Sequence, residues 1–222
     1  MKVLVACEES QRVCMAFRER GHEAYSCDIQ KCTGGVPAYH ILMDAKAVLN
    51  GGIFRLQTGE KIRVDRWDLI IAHPPCTYLT NVATRHHSLN CTPINWINAR
   101  TNNRIEAMAF FMRFIEADCD KIAVENPMGI MNSAYRRADQ VIHPYMFAET
   151  EDEMVTKQTC LWLKGLPPLL PRYATRPDNR EMYGEHPNGK AKTWEDQITT
   201  NRAVERSKTF QGIAKAMAEQ WG

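Results

Sequence analysis

Four consecutive residues, Leu69-Ile70-Ile71-Ala72, constrain this chain more than any other stretch. A short apolar run bounded by turn formers is the pattern of a strand buried on both faces, and such strands sit at the centre of parallel sheets covered by helices. Pro74 and Pro75 then stop the strand, because neither donates to a ladder and each confines the residue before it to extended backbone. The first side chain beyond this stiff exit is Cys76. Open α/β sheets bind their ligands just outside the carboxyl ends of the strands, and a thiol on a rigid tether there suits covalent catalysis. The competing reading is a buried structural cysteine, the commoner fate of this residue type. A second motif further along favours the first.

The rest of the chain alternates in the manner of an α/β domain. Residues 2–6 predict a strand, 11–20 a helix with Val13, Cys14, Ala16 and Phe17 inward, and 23–27 a second strand ending at Asp28. That is the βαβ opening of a doubly wound sheet. Residues 41–43 predict a third strand ending at Asp44, 50–66 a surface hairpin, and 98–117 a long helix with Ile105, Met108, Ala109, Met112 and Ile115 as its core stripe. Residues 121–124 predict a strand delivering Glu125-Asn126-Pro127, and 144–149 and 158–164 two later strands. Residues 172–201 read as a loop-rich insertion with Arg172, Arg176, Arg180, Lys190 and Lys192 among turn formers, and 207–221 as a closing amphipathic helix. The expectation is one α/β domain over residues 1–222, its sheet mostly parallel and its helices on both faces.

Composition excludes several classes. No apolar run approaches the ~18 residues of a membrane span. Eight scattered cysteines without a leader segment predict reduced thiols in the cytoplasm. Cys27, Cys32 and His40 lack the second close pair that a zinc site needs, so no metal is expected. A net charge of +2 permits nucleic-acid contact without announcing it. The turn after the first strand, Ala6-Cys7-Glu8-Glu9-Ser10, has no Gly-x-Gly, so it predicts a cofactor without a pyrophosphate. Asp28 stands where such folds hold ribose hydroxyls, although an aspartate there also serves as a turn cap. Residues 80–96, with His86 and His87, predict a loop over the site.

Pro74-Pro75-Cys76 followed by Glu125-Asn126, each after an apolar strand, resembles the DNA cytosine-5 methyltransferases, which carry Pro-Pro-Cys and Glu-Asn-Val in this order on a methyltransferase fold. The likeness covers residues 1–165 in motif order, with an echo in the last helix. This chain departs from the family at its glycine-poor first turn, at Pro127 in place of Val, and in having at most residues 172–201 as a target-recognition segment. The small phage and prophage members of the family look like this, which implies a bacterial cell or its phage.

The resemblance implies a Rossmann-like fold that binds S-adenosylmethionine against Ala6, Cys7, Glu8, Ser10, Asp28, Ile29, Asp44, His73 and Pro74. It implies catalysis by Cys76, Glu125 and Asn126, and substrate contacts from Pro75, Thr77, Lys157, Thr159, Arg176 and Arg180. Cys76 would add to carbon 6 of cytosine, Glu125 would donate or share a proton at ring nitrogen 3, and Asn126 would hold the loop or the Pro-Pro backbone. The substrate implied is DNA with a flipped cytosine. A free cytosine nucleotide or a single strand is the alternative, and a non-catalytic nucleic-acid-binding relative is another.

Overall fold

The computed structural model of the chain describes residues 1–81 and 94–222. Most of the expected loop at 80–96, His86 and His87 included, lies outside the described residues.

β1 (Lys2–Ala6), α1 (Arg12–Glu19), β2 (Glu23–Asp28) and β3 (His40–Leu42) open the chain, and the antiparallel hairpin of β4 (Gly52–Arg55) and β5 (Lys61–Val64) follows. Then come β6 (Leu69–Ala72), α2 (Ile94–Ile115), β7 (Ile122–Pro127), α3 (Met131–Ala134), β8 (Gln140–Ile142) and β9 (Thr159–Lys164). Short helices α4 (Asn179–Tyr183), α5 (Trp194–Gln197) and α6 (Arg202–Ser207) precede the closing α7 (Gln211–Trp221).

Seven strands form one sheet in the order β3-β2-β1-β6-β7-β9-β8. The first five are mutually parallel, and β9 runs antiparallel to both β7 and β8. The five parallel strands keep the doubly wound order, and the architecture is compatible with a Rossmann-like fold. Strand order reverses between β1 and β6, which places the ligand crevice of such a sheet beyond Ala6 and Ala72.

Period-2 alternation divides each strand between two cores. Leu4, Ile70, Ile122, Val124 and Trp162 face α2 and the hairpin, where Phe111, Phe114, Trp67 and Phe54 meet them. Val3, Val5, Ile71, Ala123 and Leu161 face α1 and α7, against Val13, Phe17, Ile213, Met217 and Trp221. Truncating a fully buried aromatic such as Phe17 or Phe111 to alanine in cores of this kind costs about 3–5 kcal/mol.

Four expectations are corrected. The buried stripe of α2 is Phe111 and Phe114, and Ile105 is exposed; Phe111 meets Trp162 edge-on at 5.1 Å, so the aromatic rings set the helix rotation. Residues 144–149 are no strand: Pro144 opens a 3-10 turn over Pro144–Phe147, where its missing N–H and fixed φ are no handicap. The edge strand β8 has three residues, too short for a periodic signal. The closing helix is broken, because Phe210 is extended (φ −69°, ψ 145°) with its ring 5.1 Å from Trp194. The insertion at 172–201 also carries local structure, with α4 and α5 joined by an antiparallel bridge between Glu185 and Ala191.

Candidate active site

The register of three neighbouring parallel strands brings Ala6, Ala72 and Val124 level, so Cys7, His73 and Glu125 come side by side; β1 and β6 end there, while β7 runs on to Pro127 against β9. Cys76 lies just above them. Its carbonyl accepts from Leu79 N at 2.9 Å and Thr80 N at 3.1 Å, closing a tight turn. Two contacts from the β7 side clamp this turn. The buried Asn126 donates from Nδ2 to Pro74 O at 2.7 Å, and its Oδ1 is buried without a partner. Gly129 packs against the same turn so closely that a Cβ there would stand 1.9 Å from Leu79 O, and Ile130 N donates to that carbonyl at 2.8 Å. Asn126 thus holds the Pro-Pro backbone, and no side chain at 129 would fit.

Beneath the turn lies a buried acid–histidine–acid cluster. His73 Nδ1 is 2.9 Å from Glu125 Oε2, and His73 Nε2 is buried without a partner. Glu8 is buried at the start of α1, where its carboxyl accepts from Val13 N at 2.6 Å and Cys14 N at 3.2 Å. That satisfies two orphan N–H groups of the helix and places negative charge at its positive end. Burial drives Glu8 up to about 7, against the pull of His73's charge and the two N–H bonds. Burial lowers His73, but the bond to Glu125, that carboxylate's charge and Glu8's carry it above its ordinary value. Burial raises Glu125, but the bond and charge of His73, with the charge of Lys157, bring it below the usual range. The His73–Glu125 contact thus favours the charged form of each partner, raising the imidazole and lowering the carboxyl. Sequence reasoning placed His73 beside the cofactor; in the structure its ring pairs with Glu125.

Burial raises the Cys76 thiol and Glu125's charge raises it further, while Lys157 and Arg206 oppose both. Both effects favour the thiol form of Cys76, and neutralising Glu125 would remove one of them. Cys7 is raised far more, by burial first and then by Asp28, Cys27 and Asp44, and is the inert member of the pair.

The β1–β3 side of the rim is built differently. Asp28 Oδ1 accepts from Gln30 N at 2.8 Å, and Asp44 accepts from Lys46 N at 2.9 Å and pairs with Lys46 Nζ at 3.2 Å. Both carboxylates thus cap local turns. Ile29 between them is 76% exposed, and Leu42 and Met43 are partly exposed. The glycine-poor turn after β1 still takes left-handed backbone, at Cys7 (φ 59°) and Gln11 (φ 60°), conformations uncommon for residues other than glycine. Gln11 is fixed there by its own amide, which donates to Val36 O at 2.9 Å and accepts from Val36 N at 3.0 Å. Nothing in the sequence around Gln11 announced this role. A cleft of about 840 Å³ opens beside Ser10, Gln11 and Gly34 and runs between α1 and α7; Asp28, Asp44, His73 and Cys76 do not line it.

Pro75 and Thr77 are exposed beside Cys76, and Thr159 is buried in β9 opposite Pro127. Lys157 donates to Arg206 O at 2.7 Å and lies over the rings of Trp194 and Phe210, close enough to act on Cys76, His73 and Glu125. Arg180 is paired with Glu185, and Arg172 with Glu149. Among the described residues no contact joins Arg176 or Arg180 to the Cys76 cluster. Sequence reasoning missed Arg100 and Arg104, whose four-residue spacing on a helix puts them on one face next to the Cys76 turn. A scan of protein-family models finds no match to the chain, and a search of curated proteins finds none either.

Proposed function

We propose that the protein transfers a methyl group from S-adenosylmethionine to carbon 5 of cytosine in DNA through a covalent Cys76 adduct. The observation that carries this reading is the shared rim. Cys76 follows the end of β6, Glu125 lies near the end of the adjacent parallel β7, and Asn126 pins the Pro74 carbonyl just before Cys76. A structural cysteine would need neither the clamp nor an ionised carboxylate next to it.

The exposed Ile29, with Leu42 and Met43, offers apolar surface to a purine, and Asp28 keeps a second carboxylate oxygen for a ribose hydroxyl. These residues fit S-adenosylmethionine, which supplies an electrophilic methyl group when bound. Glu125 accepts from the exocyclic amine of the base, and its charge is thereby partly neutralised. Cys76 gives its proton to water, and its sulfur forms a bond to carbon 6. Electron density arriving at ring nitrogen 3 takes up a proton from the Glu125–His73 pair. Carbon 5, now enamine-like, takes the methyl group, and nitrogen 3 returns its proton to the pair. Water then removes the proton at carbon 5, and the electron pair of that bond expels the Cys76 thiolate and restores the ring double bond.

Nucleosides from the DNA of cells expressing the chain provide the test. Mass spectrometry is expected to find 5-methylcytosine that is absent from a Cys76→Ala control. No methylated base in either culture, or the same amount in both, removes the reading.

A further inference from the structure

The turn that carries Cys76 leans on α2 through two arginines. Arg104 Nε donates to Tyr78 O at 3.1 Å, the Arg100 guanidinium lies 5.4 Å from the centre of the Tyr78 ring, and Asn103 Nδ2 donates to Tyr78 Oη at 3.1 Å. Arg100 and Arg104 are one helical turn apart, so their like charges face the same small volume. Neither has a carboxylate partner among the described residues, although Arg63, Arg66, Arg136, Arg172 and Arg180 all do. Arg100 Nε and Arg104 Nη2 are buried and unpartnered. Burial and the charge of Arg100 both lower Arg104. A fold tolerates two uncompensated, half-buried guanidiniums with idle N–H groups when something anionic completes them. One turn before Arg100, Trp96 presents an indole that is 64% exposed, the interleaving of aromatic and cation that suits nucleic acid.

We infer that Arg100 and Arg104 form a binding site for the phosphate of the nucleotide whose base enters the Cys76 site, with Trp96 beside it for a neighbouring base. Tyr78 is two residues from Cys76, at most about 7 Å of chain, so an anion held there is about one nucleotide from the thiol. The planar fork of a guanidinium matches phosphate oxygens in pairs, and two forks around one phosphate leave no idle donor aimed at it. This rests on the reading of Cys76 as the residue that meets the base, and it adds that the substrate is recognised through a phosphate, not as a bare nucleoside.

The test is the salt dependence of binding. A short fluorescein-labelled duplex containing cytosine is titrated with the full chain at several salt concentrations. Neutralising one phosphate contributes about 0.9 to the slope of log affinity against log salt. The Arg100→Gln/Arg104→Gln chain is expected to lose roughly that slope, whereas Arg100→Lys/Arg104→Lys keeps it and binds more weakly for want of the fork. In competition, deoxycytidine 5′-monophosphate is expected to displace the duplex from the wild-type chain far better than deoxycytidine does, and the difference is expected to vanish in the glutamine variant. Melting midpoints separate binding from scaffolding. Each double variant gains from the weaker repulsion or loss of charge and loses the Arg104 bond to Tyr78 O, so the midpoint of the free chain should move little, and a large fall in both means the arginines are structural. An unchanged slope, or equal competition by nucleoside and nucleotide in the wild-type chain, overturns the site. A chain that shows the slope but methylates no DNA keeps the phosphate site and loses the transferase reading; methylation with an unchanged slope does the opposite.

Discussion

The two halves of the sheet rim are held together in opposite ways. On the β6–β7 half the contacts join residues far apart in sequence: Asn126 to Pro74 and His73 to Glu125, each 52 residues distant, with Gly129 against Leu79 beside them. On the β1–β3 half the two rim carboxylates make local contacts, Asp28 with Gln30 and Asp44 with Lys46, each two residues apart, although Gln11 in the turn after β1 reaches Val36, 25 residues away. Long-range clamps fix geometry to a fraction of an ångström only when both strands are in register, and chemistry needs that precision. Local caps shape a loop and leave its outer surface free to fit a ligand. In the proposed function bond-making falls to one half and cofactor binding to the other, and the substitutions at the rim below each strike one half alone.

The largest effect belongs to Cys76→Ala. It is expected to abolish transfer and leave the affinity for S-adenosylmethionine, read by calorimetry, unchanged. DNA with 5-fluorocytosine sharpens this, because elimination at carbon 5 is then blocked and the chain stays attached to its substrate. Peptide mapping is expected to find the adduct on Cys76; an adduct on Cys7 or Cys160 would move the chemistry off the β6–β7 half.

Glu125→Gln comes next, with transfer slower by ~100-fold, the scale of a positioned acid or base. His73→Gln should give a similar loss and a second signature. With wild-type His73 the proton store empties as pH rises through the raised value of the imidazole, so activity is expected to fall on that alkaline limb. In His73→Gln the limb should disappear along with the rate. A variant that slows but keeps the wild-type pH profile would make His73 a packing residue only.

Gly129→Ala probes the clamp without touching a reactive group. The added methyl would stand 1.9 Å from Leu79 O, so the β7 loop must withdraw from the Cys76 turn. A displacement near 1 Å costs on the order of 100-fold in rate. Cofactor affinity should not change, since the β1–β3 half is not moved.

Much of this division was legible in the sequence, for a physical reason. Central strands such as 69–72 are apolar throughout and announce themselves, and prolines mark the rim where they end. The pairing of His73 with Glu125 was not legible, because it exists only once β6 and β7 are in register. The same holds for Gln11, whose left-handed backbone is stabilised by Val36, 25 residues away. The hold of Asn126 on the Pro-Pro backbone was one of two roles that the resemblance implied, and the contact with Pro74 O decides between them. The rotation of α2 could not be read, because Ile105 and Phe111 are equally apolar and only Trp162 decides between them.

A smaller effect concerns stability. Glu8 titrates at about 7 in the folded chain against an ordinary value of 4.5. Its folded-state value is raised, so the stability it contributes is complete below pH 4.5 and is lost as pH rises through about 7. His73, also raised, loses its contribution in the same direction as pH climbs past 6.5. Glu125 is depressed, so its contribution is present above 4.5 and is lost as acid protonates it. The chain is expected to be most stable between these limits. Glu8→Gln removes the charge but keeps only one acceptor for the N–H groups of Val13 and Cys14, so its gain over wild type at pH 8 should fall short of the ~3 kcal/mol that a rise from 4.5 to about 7 represents, and this gain should shrink toward pH 5.

The smallest effect is Asp28→Asn, on the β1–β3 half. Asparagine keeps the oxygen that accepts from Gln30 N, so the turn survives and the melting temperature should not move. What changes is the second oxygen, which becomes an amide and no longer accepts from a ribose hydroxyl. A hydrogen bond to a charged group is worth about 1.5–3 kcal/mol, so S-adenosylmethionine should bind at least ~10-fold more weakly. At saturating cofactor the transfer rate should match wild type, since the Cys76 turn and its clamps are untouched. The opposite pattern, unchanged affinity with a slower rate, would mean that Asp28 acts on the chemistry and that the two halves of the rim are not separable.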